Sequence, residues 1–355
     1  MALEQTILTE DDIINILCVE YGLKKPKHIF KMQKGLANVY RIDFQESQYI
    51  LKEYNTLTKK SVIDKEVSVV KFLQKKGINI PYYKMAINGE YSICYGEKII
   101  TLRDYIDGKC LEDNTGTYKQ TMMCAKTLGR IVQALKSYDG LEEESVMQTV
   151  FSREALQLSL LQLQQYYDMC SSKDVVSCTI QQDLKEKMDM CKYLIHHFDF
   201  SVLDKISIMG THGDYNVQQL VYCGDKVFVL DFETAKKMPV IWEVMRSYSY
   251  IDSSIVNGEF NLANLREYVC HFTAFTSLNY YDKKYAAYIY LIQLASSSFG
   301  YREYLLDHSK EKLLQFGFYR TKICRYLYKN ADEIGKILAE DNTISITRNK
   351  RRLYL

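Results

Sequence analysis

Short apolar runs of strand character, separated by polar residues, mark the first part of the chain. The runs HIFKMQK, ANVYRIDF and QYILKEYN follow one another between residues 28 and 55. Segments of this length and composition, bounded by polar residues, predict three β-strands. The polar FQESQ between the last two runs predicts a turn, so we expect these two strands to pair in antiparallel fashion.

Helical patterns flank these strands. Thr9 is expected to cap a first helix, with Asp12 at the capping-box position three residues later. A second helix is predicted from about Asp64, where DKEVSVVKFLQKKG has helical apolar spacing and ends at Gly77. An Asn-Gly pair at residues 88–89, between YYKMAI and YSICY, predicts a two-residue β-hairpin turn.

The rest of the chain has an almost entirely helical pattern. The segments TMMCAKTLGRIVQALKSY, SREALQLSLLQLQQYYDM and TIQQDLKEKMDMCKYLIHHF all predict helices, and one hairpin interrupts this pattern at 217–231. The uncharged run YAAYIYLIQLASSSFGY is too short to span a bilayer and predicts a buried helix. The sequence therefore predicts an α+β fold: a small antiparallel-sheet lobe at 1–100, a connector at 101–106 and a large, mainly helical lobe at 107–355.

Composition excludes several classes of function. The chain has 355 residues, 47% of them hydrophobic, and a formal net charge of +2, which argues against a dedicated nucleic-acid or membrane binder. Its ten cysteines form no CxxC pair and no metal-like spacing, and the first residues, MALEQTILTEDDII, lack an apolar signal core. We therefore expect a cytoplasmic protein with reduced thiols and no nucleic-acid or membrane partner.

The hairpin in LVYC-GD-KVFVL brings polar residues together. Its Gly-Asp turn at 224–225 suits a type II′ hairpin, and counting outward from it pairs Gln219 with Leu230. Gln219 and Asp231 are therefore expected to be neighbours at the open end of the hairpin. Asp214 lies five residues before Gln219, in the loop that leads to the same end. Such a group of oxygen ligands suits Mg²⁺ and phosphoryl transfer.

The segments THGDYNVQQLVY and LDFE resemble the catalytic loop and metal-binding segment of the aminoglycoside phosphotransferase and choline kinase group, distant relatives of protein kinases. Spore-coat kinase-like proteins are a close second resemblance. The resemblance implies a two-lobed protein-kinase-like fold that uses ATP and Mg²⁺. It further implies that Asp214 is the catalytic base, and that Gln219 and Asp231 bind the metal.

The small lobe carries two more residues that such a fold needs. Kinase-type lobes place a lysine on the third strand to bind the α- and β-phosphates, and a helix glutamate to hold that lysine. Lys52 lies in YILKEYN on the predicted third strand, and Glu66 follows fourteen residues later at the start of the predicted helix. We interpret both as parts of a nucleotide site.

Two further segments are candidates for nucleotide contacts. KGLANVYRI resembles a reduced phosphate loop, in which Gly35 and Asn38 either contact nucleotide or serve only as turn residues. TLRDYIDG resembles the hinge that binds adenine through its backbone, with Arg103, Asp104 and Tyr105 as candidates, uncertain by one or two positions.

Gln219 departs from the pattern, because the resembled family has asparagine at this position. Three outcomes stay open: Gln219 coordinates the metal after a loop shift, Asp231 and water hold it alone, or the site is impaired. Asn216 and Gln218 are nearby alternative amides. The leading hypothesis is an ATP-dependent small-molecule kinase that phosphorylates a substrate hydroxyl, and the alternative is a catalytically silent, structural kinase-fold protein. The acceptor, the choice of ATP or GTP, and the oligomeric state stay open.

Overall fold

A computed structural model describes residues 6, 8–32, 37–141, 146–170 and 174–340 of the protein. The chain divides into two compact units, and each collects segments from several parts of the sequence. The first unit consists of Met1–Leu111, Ala134–Leu141 and His212–Ala235, and the second of Glu112–Gln133, Glu142–Thr211 and Lys236–Leu355.

A five-stranded antiparallel sheet forms the centre of the first unit. Its strands are β1 (His28–Met32), β2 (Asn38–Asp43), β3 (Gln48–Glu53), β4 (Ser92–Tyr95) and β5 (Lys98–Asp104), in the order β1-β2-β3-β5-β4. The three strands predicted between residues 28 and 55 are confirmed, as is the antiparallel pairing of the last two. One face of the sheet packs on a first helical segment through buried apolar residues that include Ile13, Leu17, Ile42, Leu51 and Leu102.

Two helices complete this part of the unit. Helix α1 (Glu10–Asn15) continues as a π-helical turn over Ile16–Glu20, and the predicted capping box between Thr9 and Asp12 is present. Helix α2 (Lys60–Lys75) begins before the predicted start at Asp64, because its apolar stripe extends back to the buried Ile63. Glu66 consequently lies in the second turn of α2 rather than at its start.

The predicted hairpin at residues 88–89 is only partly right. The turn forms, with the Ala86 amide donating to the Glu90 carbonyl at 2.7 Å, but the residues before it do not pair with β4. Strand β4 pairs with β5 only as far as Thr101, which leaves the last residues of β5 open at that edge. Residues 82–84 pair there instead, as the hydrogen bond from the Lys84 amide to the Leu102 carbonyl shows.

The second unit is mainly helical. Its helices are α3 (Tyr118–Leu135, which ends in the first unit), α4 (Val146–Thr149), α5 (Arg153–Met169), α6 (Val175–His197), α7 (Val240–Ile251), α8 (Leu262–Thr273), α9 (Tyr280–Lys284), α10 (Ala286–Ser296), α11 (Tyr301–Leu306) and α12 (Glu311–Ala339), with a 3₁₀ segment at Phe200–Lys205. The uncharged run predicted to be buried is α10, which packs against α6, α7 and α12. Within the described ranges, no helix combines the length and apolar character needed to cross a membrane.

Four short strands follow α6 in sequence: β6 (Ile208–Thr211), β7 (Leu220–Cys223), β8 (Lys226–Val229) and β9 (Lys236–Pro239). Strands β7 and β8 form the predicted hairpin in the first unit, with Cys223 opposite Lys226 and Gly224 at φ 57°. Strands β6 and β9 pair with each other in the second unit, and the sequence pattern did not predict them.

Candidate active site

The loop that precedes the hairpin has a backbone that only glycine fits. Gly213 has φ 83°, and a Cβ atom added to it would lie 2.2 Å from the carbonyl oxygen of Thr234. His212 is fully buried, and its Nε2 donates to the Leu230 carbonyl at 2.8 Å, while its Nδ1 accepts from the Asp214 amide at 3.3 Å. These two bonds tie the imidazole ring to both the loop and the hairpin, so His212 orients the loop.

Two side-chain amides hold the carboxylate of Asp214. Asn216 Nδ2 donates to Asp214 Oδ1 at 3.1 Å, and Gln219 Nε2 donates to Asp214 Oδ2 at 3.3 Å. Asn216 is itself fixed, because its Oδ1 caps the short 3₁₀ turn Val217–Gln219 by accepting from the Gln218 amide. The orientation of the Asp214 carboxylate is therefore set by residues within five positions of it in sequence.

Asp231 lies directly beyond the hairpin, in an unusual backbone conformation. Its φ of 62° is left-handed, which costs a residue other than glycine about 1–2 kcal/mol. The hairpin register places it beside Gln219, whose carbonyl accepts from the Leu230 amide at 2.8 Å, as the sequence predicts. Such strained residues concentrate at functional sites, where the surrounding structure holds them in place.

A lysine of the sheet reaches this aspartate across 179 positions of sequence. Lys52 Nζ lies 2.9 Å from Asp231 Oδ1 and 3.3 Å from Glu233 Oε2. The side chain is nearly fully buried, and its ammonium group lies 4.3 Å from the centre of the Tyr54 ring. The structure thus brings together Lys52 and Asp231, which the sequence assigns to phosphate and metal binding.

Glu66 contributes to the same site but does not directly hold the lysine. Its Oε2 accepts from the Tyr54 hydroxyl at 2.9 Å, and its Oε1 accepts from the Phe232 amide at 3.2 Å. Carboxylate oxygens of Glu66, Asp231 and Glu233 lie within 4.8 Å of one another. Glu66 therefore links helix α2 by a hydrogen bond to the segment that carries Asp231. It also adds a third carboxylate beside Lys52.

The charges of this cluster set its titration. Burial disfavours the charged form of Lys52, but the three carboxylates around it outweigh burial and raise the pKa of the ammonium group. Burial also opposes a charged Asp231, yet Lys52 and Arg103 hold the pKa of that carboxyl below its ordinary value. Burial raises the pKa of the Glu233 carboxyl, and the like charges of its two acidic neighbours add to this effect. Of Asp231 and Glu233, Asp231 therefore holds its negative charge more firmly.

The sequence reasoning did not include Glu233, and it gave Arg103 another role. Glu233 is the last residue of the LDFE motif. Because Phe232 is apolar and buried, Asp231 and Glu233 on either side of it would be expected to project to the same side, and this pattern could have identified Glu233. Arg103 lies opposite Ile50 in the β3–β5 register, on the same face of the sheet as Lys52. Its charge acts on Asp231, so its side chain belongs to the electrostatics of the site.

The other predicted nucleotide contacts are not brought to this cluster. Gly35 lies outside the described residues. Asn38 stands opposite Glu53 in the β2–β3 register, on the sheet face away from Lys52, so only its backbone can serve a nucleotide held there. The amides of Asp104 and Tyr105 donate to the carbonyls of residues 82 and 48, so these two amides are already bonded within the protein.

The donor set fits a divalent cation. Asp231 and Glu233 each offer a partly exposed carboxylate, and hard oxygen ligands of this kind are those that Mg²⁺ and Ca²⁺ prefer. Their second oxygens accept no hydrogen bond from any residue that the structure describes. One lysine facing three carboxylates also leaves negative charge for a cation to neutralise.

Sequence comparison identifies no relative of this chain: no protein-family model and no curated protein matches it. Comparison with solved structures finds proteins of similar fold. A spectinomycin phosphotransferase, solved with ADP and spectinomycin, superposes with a TM-score of 0.65 at 15% identity, over 94% of this chain and 100% of its own. An amicoumacin kinase solved with AMP-PNP, Ca²⁺ and Ami has a TM-score of 0.57 at 15% identity, over 94% of this chain and 96% of its own.

An ethanolamine kinase of Plasmodium vivax is also similar, with a TM-score of 0.59 at 13% identity over 93% of each chain. At these identities the likeness establishes the fold alone. The α+β, protein-kinase-like fold expected from the resemblance to aminoglycoside phosphotransferases and choline kinases is therefore confirmed.

Proposed function

We propose that this protein is an ATP-dependent kinase that transfers the γ-phosphoryl group to a hydroxyl of a small molecule. The observation that carries the proposal is the ion pair between Lys52 and Asp231, made by a buried sheet lysine and a backbone-strained aspartate beside the Asp214 loop. The three similar structures described above, a phosphotransferase and two kinases, support the same class of reaction.

The residues of the site divide the reaction among them. Asp214 accepts the proton of the acceptor hydroxyl while that oxygen bonds to the γ-phosphorus and the bond to the β–γ bridging oxygen breaks. Lys52 donates to the phosphate oxygens of the nucleotide. A Mg²⁺ ion held by Asp231, when bound, neutralises charge on the phosphates.

Nucleotide binding exchanges partners within this cluster. In the structure, Lys52 forms ion pairs with both Asp231 and Glu233. With a nucleotide and its cation bound, Lys52 would hold phosphate oxygens, and the carboxylates that it contacts in the structure would be left to hold the cation.

The first test is phosphoryl transfer from ATP to a panel of hydroxyl-bearing acceptors, including spectinomycin, amicoumacin, ethanolamine and choline. The wild-type protein is expected to phosphorylate at least one class of acceptor. Asp214→Asn keeps the shape of the side chain but cannot take the proton, and we expect its kcat to fall by a factor of about 10²–10⁴. Thermal shift with ATP and Mg²⁺ measures nucleotide binding separately.

Asp225→Asn is the matched control, since Asp225 is exposed at the turn of the same hairpin. This variant should keep wild-type turnover. If the wild-type protein neither binds Mg-ATP nor phosphorylates any acceptor, the proposal is wrong and the catalytically silent alternative is favoured.

A further inference from the structure

The side chain at position 219 is already bound to another group of the site. Gln219 Nε2 donates to Asp214 Oδ2 at 3.3 Å, and the other oxygen of Asp214 is held by Asn216. Only the NH₂ end of an amide can donate to a carboxylate, so this contact fixes which end of Gln219 faces Asp214. The longer glutamine side chain thus extends to the proposed base itself.

A carboxylate with the chemistry of a metal ligand stands beside Asp231. Oxygens of Glu233 and Asp231 lie within 4.8 Å of each other, and both side chains are partly exposed, at 37% and 27%. Glu66, the third member of the cluster, is fully buried, and both of its oxygens accept from protein donors. Asp231 and Glu233 are therefore the two carboxylates that a hydrated cation can reach.

The neighbours of Glu233 hold it at this place. Phe232, between the two acids, is fully buried against the His212 ring at 4.5 Å, and its amide is bonded to Glu66. With Phe232 anchored, the residues on either side of it project to the same side, where both contact Lys52. The Ala235 amide closes the segment by donating to the Phe232 carbonyl at 3.0 Å.

We propose that Glu233 and Gln219 have separate roles in this site, one toward the cation and the other toward Asp214. Glu233 joins Asp231 as a ligand of the divalent cation, and Gln219 acts as a positioning residue that holds the carboxylate of Asp214. This inference rests on the proposed kinase function for the cation and for the base. In this chain a glutamate supplies the second ligand, and Gln219, one methylene longer than the asparagine of the resembled family, holds the base.

The test uses Mn²⁺ as a spectroscopic probe, with binding to the full chain measured by electron paramagnetic resonance in the presence of ADP. Glu233→Gln keeps the size of the side chain and removes its charge, and we expect it to weaken Mn²⁺ binding by about tenfold to a hundredfold. Asp231→Asn should weaken it as strongly. Glu97→Gln removes an exposed carboxylate from the turn between β4 and β5 and serves as the matched control, expected to bind Mn²⁺ as the wild type does.

Gln219→Leu separates the two roles. It removes both the amide donor and the amide oxygen of residue 219. Because the proposal gives that oxygen no contact with the cation, we expect the Mn²⁺ affinity to stay within about twofold of the wild-type value. Its kcat should fall about tenfold to a hundredfold with the KM for ATP unchanged, because Asp214 loses one of its two amide partners. Circular dichroism and thermal unfolding establish that each variant is folded.

Two results would overturn the inference. In one, Glu233→Gln binds Mn²⁺ as the wild type does; in the other, Gln219→Leu loses Mn²⁺ as severely as Asp231→Asn. Failure of the kinase function looks different: the wild type would bind Mn²⁺ through Glu233 yet phosphorylate no acceptor. If the wild type phosphorylates an acceptor but Glu233→Gln binds Mn²⁺ equally well, the kinase function is supported and the assignment of Glu233 as a ligand is refuted.

Discussion

At the scale of single residues, the site is organised around one buried cation. Lys52 contacts two carboxylates and lies near a third, so it faces more negative charge than it can neutralise. Burial makes that interaction strong, because water screens it little. The left-handed backbone of Asp231 is held in place from three directions. Lys52 contacts its carboxylate, the amide of the preceding Leu230 is bonded within the hairpin, and the amide of the following Phe232 is bonded to Glu66.

Replacing this lysine tests the balance of charge. Lys52→Met leaves the carboxylates facing one another, and we expect the free energy of unfolding at pH 7 to fall by about 3 kcal/mol. Lys52 lowers the native pKa of Asp231, so the stability it confers is present above the unfolded pKa of about 4. That stability is lost as the pH falls through the lowered native value.

Urea unfolding at pH 7 and in progressively more acidic buffers measures this difference. The gap between wild type and Lys52→Met should narrow in acid, because protonated carboxyls no longer repel one another. Lys59→Met, at an exposed lysine just before α2, should show no gap at either pH. A gap of equal size at every pH would mean that lost packing, rather than charge, explains the effect.

At the scale of elements, the hairpin was predictable and its surroundings were less so. A glycine-first two-residue turn dictates the register of its strands, so Gln219 opposite Leu230 followed from counting. Strands β6 and β9 have four residues each, and β9 reads KKMP, with two lysines and a proline that disfavour a strand assignment. Only pairing with a partner distant in sequence makes them strands.

The same limit applies to the candidate site. Lys52, Asp214 and Asp231 could be named because each follows from a local motif. The partner of Lys52 could not, since the choice between Glu66 and Glu233 depends on where α2 and the LDFE segment pack. Asn38 likewise has the right composition for a phosphate loop, but the strand register turns its side chain to the far face of the sheet.

The loop and the hairpin offer a matched pair of glycine substitutions. Gly213 and Gly224 both have positive φ, but a Cβ on Gly224 meets no atom within 4 Å. Gly224→Ala is therefore expected to cost only the backbone term, about 1 kcal/mol. Gly213→Ala must also displace the carbonyl of Thr234, so we expect a loss of about 3 kcal/mol and a collapse of kcat.

Chemical denaturation and turnover of the two variants, measured in parallel, check this expectation. Because the backbone term is common to both, the difference between them reports the closeness of Gly213 to residue 234. Equal losses of stability would show that the loop relaxes freely around an added methyl group.

At the scale of the whole molecule, the protein has a known fold, although no protein-family model and no curated protein matches its sequence. The two units each hold a core of their own, and the helical unit is also tied together by a buried lysine. Lys187 of α6 donates to the carbonyls of Leu294 and Ser297, at the C-terminal end of α10, at 2.7 Å each. A cation at a helix C-terminus is favourable, but burial is not.

This lysine gives the molecule a predictable alkaline response. Burial lowers the pKa of Lys187 to about 8, below its ordinary value of 10.5. Between these two values the unfolded chain binds more protons than the native one, so the free energy of unfolding contributed by Lys187 rises with pH. Between pH 7.5 and pH 9.5 we expect this contribution to grow by about 2 kcal/mol.

The measurement is the difference between wild type and Lys187→Met in urea unfolding across this range, which cancels titrations common to both. Lys185→Met, at an exposed lysine in the same helix, is the control and should track the wild type. A difference that stays constant from pH 7.5 to pH 9.5 would contradict a lowered pKa at Lys187.

The span of sequence between Lys52 and its counter-charges has a consequence for synthesis on the ribosome. A nascent chain exposes the lysine strand long before it contains Asp231, which lies 179 residues further on. Until that residue leaves the exit tunnel, burial of Lys52 would separate it from water without Asp231 and Glu233, the two carboxylates that it contacts in the native protein, so we expect this part of the sheet to stay hydrated until then. We therefore expect the candidate active site to be among the last parts of the protein to form, after the intervening residues 112–211 have been made.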